Sequence, residues 1–66
     1  MKIKVIFSPH GRGDRILDEF SNMASYKQVS EQIFVLTPWK DKYFQWIISD
    51  LENFKNKGEL DFGIED

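Results

Sequence analysis

An unbroken apolar run near the middle of the chain, Ile33-Phe34-Val35-Leu36, constrains this sequence more than any other feature. The run is short, rich in β-branched side chains and closed by Thr37-Pro38, so residues 31–37 read as a strand. Apolar side chains at alternate and intervening positions alike predict a strand covered on both sides, or central in a sheet. The whole chain has only 66 residues with which to build the rest of that sheet and its cover. A domain of that size buries only about 60% of the surface its unfolded chain exposes, so every apolar side chain matters.

The flanking segments supply the candidates. In residues 2–7, Ile3, Val5 and Phe7 alternate with Lys2, Lys4 and Ile6, the period of a strand. Ser8-Pro9-His10-Gly11-Arg12-Gly13 breaks it. Ile16, Leu17, Phe20, Met23 and Ala24 then fall on one stripe of a helix over about residues 14–26, with Asp14 placed to cap it. Thr37-Pro38 reads as an N-cap followed by proline in the first turn, opening a second helix over about residues 38–57 that stops at Gly58. Tyr43, Phe44, Ile47, Leu51 and Phe54 share the arc of that helix expected to face the core. Residues 59–66 alternate acidic or small with apolar, which predicts a short last strand with Leu60, Phe62 and Ile64 inward, or else an acidic tail that docks one or two apolar residues. The expected fold is a single small domain over residues 1–66 of α/β class, or α+β. Its order is β-α-β-α-β, with a two- or three-stranded sheet packed against two helices. The first two strands form a parallel pair across a right-handed crossover.

Several functions are excluded or disfavoured by what the chain lacks. It has no cysteine and a single histidine, too little for a thiolate or zinc centre. A net charge of -2 argues against a strong nucleic-acid binder, which depends on a cationic excess. No apolar run reaches the roughly 18–20 residues of a membrane span. The first residues carry no cleavage motif, which makes the cytoplasm the default setting. Ser8, His10 and Asp14 offer a hydroxyl, an imidazole and a carboxylate, but one short loop rarely gives them the geometry of a nucleophile, its base and an orienting group. No enzymatic activity and no cofactor are expected.

Two places remain where a ligand could bind. The loop from Ser8 to Asp14 leaves a strand and opens a helix, where free amides favour anions. His10, Gly11, Arg12, Gly13 and Arg15 are its candidates for a phosphate or carboxylate, although the Gly-x-Gly pattern lacks the further residues of a nucleotide-binding loop. The second place is a flank of the second helix. Trp39 and Trp46 fall about 20° apart on a helical wheel, beside the core stripe, and Asp50, Asn53 and Lys57 continue that flank. Aromatic anchors with a polar rim are the composition of an interface centre. Aromatics make up 15% of the chain, more area than one small core readily holds. The expected function is therefore a protein-interaction module that binds another protein or itself through Trp39, Tyr43, Trp46, Asp50, Asn53 and Lys57. A small inhibitor or regulator of a partner enzyme, of the kind phages and mobile elements encode, is one concrete form. The alternative is an anion, nucleotide or nucleic-acid binder using the Ser8 to Asp14 loop.

Overall fold

The computed structural model describes residues 2–9 and 13–65, the side chain of Asp14 apart. Six elements follow one another: β1 (Lys2–Phe7), α1 (Gly13–Phe20), β2 (Ala24–Gln28), β3 (Ile33–Pro38), α2 (Asp41–Asn56) and β4 (Leu60–Glu65). The strands form one four-stranded sheet in the order β2-β3-β1-β4, and every neighbouring pair is antiparallel. Each helix thus links two strands that are separated by a third, the split β-α-β connectivity of ferredoxin-like sheets.

This corrects the expected architecture in three respects. The sheet has four strands, not two or three, and it is antiparallel throughout. The parallel β1–β3 pair does not form, because a strand absent from the expected order lies on the far side of β3. That strand, β2, takes residues assigned above to the first helix. Helix α1 stops at Phe20, where Ser21 donates its hydroxyl to the Asp18 carbonyl at 2.9 Å and the Met23 amide bonds back to Phe20 at 3.0 Å. A serine that bonds the preceding turn competes with continued helix. The chain then turns into β2, and Ala24, expected on the helical stripe, is buried from a strand instead.

The start of α2 is also displaced. Thr37 and Pro38 do not cap it; they end β3, with Pro38 opposite Ala24. The helix begins at Asp41 behind Lys40, whose side chain makes no cap bond. Its end is as expected. The Gly58 amide bonds to the Lys55 carbonyl and the Glu59 amide to the Phe54 carbonyl, with Gly58 at φ +77°. Those two bonds and the left-handed residue form a Schellman cap.

One hydrophobic cluster joins the sheet to both helices. Ile3, Val5 and Phe7 of β1, Phe34 and Leu36 of β3 and Leu60 of β4 meet Ile16, Leu17 and Phe20 of α1 and Ile47 and Leu51 of α2. Phe44 and Phe54 pack partly against it, as does Phe62, while Ile64 stays exposed. Neither α1 nor α2 covers the opposite face of the sheet. Alternation along β3 therefore puts Phe34 and Leu36 in the core and leaves Ile33 and Val35 only partly buried on the other side. The central position expected for this run holds; the double cover does not.

Candidate functional site

Helix α2 builds its outer flank from the residues that its inner arc cannot use. Ile47 and Leu51 are fully buried, and a second row, itself spaced three or four residues apart but offset by about one residue from theirs, carries Tyr43, Trp46, Asp50 and Asn53 along the side of the helix, with Lys57 just past its end. Trp46 is 54% exposed although Ile47 beside it has no exposed surface. The Tyr43 and Trp46 rings meet with centroids 5.6 Å apart at a 54° tilt. The Lys42 ammonium lies 5.3 Å from the Tyr43 centroid and 5.8 Å from that of Trp46, and Lys40 approaches Tyr43 at 5.9 Å. A cation over each ring is attracted by its negative face and holds it in place by roughly 0.5–1 kcal/mol at exposed sites. Asp50 is half-buried on this flank and Asn53 exposed, while Lys57 turns its ammonium to within 5.9 Å of the Phe54 ring.

Trp39 is not on the helix, so its position on the helical wheel has no counterpart in the fold. It sits in the connection before α2, 56% exposed, with its indole N–H donated to Ser25 Oγ of β2 at 2.9 Å and its amide bonded to the Met23 carbonyl. The structure thus brings Tyr43 and Trp46 together and orients Trp39 separately through the edge strand. Lys42, four residues before Trp46, was missed in the sequence; i,i+4 spacing to an aromatic was the signal that could have found it.

Of the loop candidates, His10, Gly11 and Arg12 lie outside the described residues. Gly13 opens α1, and a Cβ there would stand 3.2 Å from two carbons of the Phe7 ring. That close approach gives the glycine a packing role, seating the helix start on the end of β1. Arg15 is exposed and lines an open cleft of about 810 Å³ between the start of α1 and the ends of β1 and β2. Among the described residues of that cleft, Arg15 is the one cation and faces two carboxylates, Asp18 and Glu31. Among the described residues no three His, Asp or Glu side chains are grouped as a metal site requires, and no helix is long and apolar enough to cross a membrane. Among the described residues Asp61 has a perturbed titration. Asp61 is held below the ordinary aspartate range by the Lys55 ammonium at 3.2 Å, which bonds it directly, and by the Phe62 amide, which donates to it.

No protein-family model, no curated protein and no solved structure matches this chain.

Proposed function

We propose that this protein is a non-enzymatic interaction module that docks another protein through the outer flank of α2. Tyr43 and Trp46 are its anchors, with Trp39 as a separately oriented third ring and Asp50, Asn53 and Lys57 as the rim. The observation that carries the reading is the exposure of Trp46 beside a fully buried Ile47, with its ring already set against Tyr43 and Lys42. A large, rigid, amphipathic ring fixed before contact loses little freedom on binding, so more of its burial appears as affinity. The bound protein would offer an apolar pocket for the Trp46 indole. Inhibition or regulation of an enzyme is the form of such docking that suits a chain this small. The reading takes the cytosol as its setting, where a chain without cysteine forgoes no disulfide framework.

The test compares partner capture from native lysate by the wild-type chain, Trp46→Ala and Glu52→Ala. Glu52 is exposed on a different side of α2 and serves as the control. Trp46→Ala is expected to keep native circular dichroism and to weaken the captured complex by about 2 kcal/mol or more, roughly thirtyfold. Glu52→Ala should bind as the wild type does. Equal retention of the same partner by all three chains would overturn the reading.

A further inference from the structure

We infer that the uncovered face of the sheet is a self-complementary surface on which a second copy of this chain docks, face to face, about a two-fold axis parallel to the strands. The inference does not rest on the aromatic flank of α2, which belongs to the helical side of the molecule.

The strand registers set this face out in rows. The β1–β3, β1–β4 and β2–β3 pairings place Lys27, Val35, Lys4 and Gly63 side by side across β2, β3, β1 and β4. On one side of that row lie Ile33, Ile6 and Asp61, extended past β2 by Val29, whose amide bonds to the Ile33 carbonyl at 2.8 Å. On the other side lie Ser25, Thr37, Lys2 and Glu65. The face is apolar along one end, where Val29 is 59% and Ile6 42% exposed. Its lysines stand on β2 and β1, and its carboxylates stand on β4.

Charge decides how two such faces can meet. A two-fold axis perpendicular to the strands would lay Lys27 on Lys27 and Lys4 on Lys4. Like charges so placed cost several kcal/mol. An axis parallel to the strands lays β2 over β4 and β3 over β1. Ile33 then meets Ile6 of the second copy, and Lys27 comes down over Gly63 of the second copy. Nothing lies within 4 Å of where a Gly63 Cβ would stand, so that glycine leaves a notch for the lysine stem. Glu65 and Asp61 flank the notch. Asp61 already engages Lys55, which leaves Glu65 as the principal acceptor for the incoming ammonium.

The available area matches that of a specific interface. The molecule measures 30 × 23 × 21 Å. A face spanning 30 × 23 Å has a projected area of about 700 Å², so the pair buries on the order of 1,400 Å², within the range of specific interfaces. An interface of that size is enough for a reversible dimer, with its strength set by the charge pairing at its rim. RNA is the less suitable occupant, because single-stranded bases need aromatic platforms and the residues of these rows include none.

Sedimentation equilibrium of the whole chain over a wide concentration range tests this. A reversible monomer–dimer equilibrium is expected for the wild type. Lys27→Glu and Glu65→Lys should each weaken it about tenfold or more, and the double exchange Lys27→Glu/Glu65→Lys should restore it. Zero-length amine–carboxylate cross-linking of mixed isotope-labelled and unlabelled wild-type chains should join Lys27 to Glu65 between copies, a readout that needs no variant to fold. A monomer at all concentrations overturns the proposal, as does a dimer that ignores both single exchanges. A dimer lost on Trp46→Ala but indifferent to Lys27→Glu would assign self-association to the helix flank instead. Loss in both singles without rescue in the double overturns the axis. Binding of an oligouridylate by a monomeric chain, abolished by Lys27→Glu, makes the face a nucleic-acid surface and likewise overturns it.

Discussion

Gly58 does what no other residue type does at low cost: it holds φ at +77° and ends α2. A Cβ there would meet nothing within 4 Å, so a substitution brings backbone strain without a clash. Gly58→Ala is expected to destabilise the fold by about 1–2 kcal/mol, the cost of a left-handed backbone for an L-residue. In a domain of this size that lowers the melting temperature by several degrees, measurable by circular dichroism. This stop was legible in the sequence because glycine just past a periodic stretch has few other uses. Thr37-Pro38 misled for the converse reason. The pair fits an N-cap, yet proline is equally at home at a strand end, and nothing local distinguishes the two. Asp61 gives a second residue-level test. Its folded-state titration lies below that of the unfolded chain, so its contribution to stability is present above the ordinary aspartate value and is lost as pH falls through its folded value. A carboxyl titration followed by NMR should show the depressed midpoint, and Lys55→Ala should raise it, since Lys55 is its first cause.

The same contrast between local pattern and placement runs through whole elements. In β1 the alternation of Ile3, Val5 and Phe7 named the buried face correctly, with each of those side chains in the core. In β3 the continuous apolar run correctly indicated a central strand and wrongly suggested a second covering layer. Burial differs by position: Leu36 has no exposed surface, whereas Ile33 is only partly buried on the open face. Leu36→Ala should therefore cost about 2–5 kcal/mol, enough to unfold much of the population of a marginal domain. Ile33→Ala should cost less, about 1–2 kcal/mol, since part of its side chain is already in contact with water. Urea melts of the two variants check this, and equal losses would contradict the one-sided sheet. Strand β2 was illegible because its inward residues carry no strand signal. Ala24 continues the helical stripe begun by Ile16 and Leu17, and Tyr26, half-exposed at the sheet edge, reads as a helix end. What makes these residues a strand is the free edge of β3, a partner that sequence periodicity does not contain.

Across the whole molecule the aromatic content divides by size and polarity. Phe7, Phe20 and Phe34 are buried, Phe44, Phe54 and Phe62 lie partly against the core, and Trp39 and Trp46 stay more than half exposed. That a small core would leave aromatic area at the surface followed from composition alone. Which rings would be left out required the phase of α2, which was legible for Trp46, and the β3–α2 connection, which was not legible for Trp39. The division has a consequence that needs no partner to observe. Tryptophan emission moves to the red when an indole passes from an apolar site into water, and here both indoles already face water. Urea unfolding should therefore shift the emission maximum only slightly, while far-UV circular dichroism loses its whole amplitude in one cooperative transition. Trp46→Ala should remove half of the indole signal and displace the midpoint by no more than surface substitutions do, about 0.5 kcal/mol. Leu51, less than two turns further along the same helix and fully buried, should on replacement by Ala lose about 2–5 kcal/mol. A strongly blue emission in the folded chain, or a Trp46→Ala loss as large as that of Leu51→Ala, would place the indole in the core and leave α2 without an aromatic docking face.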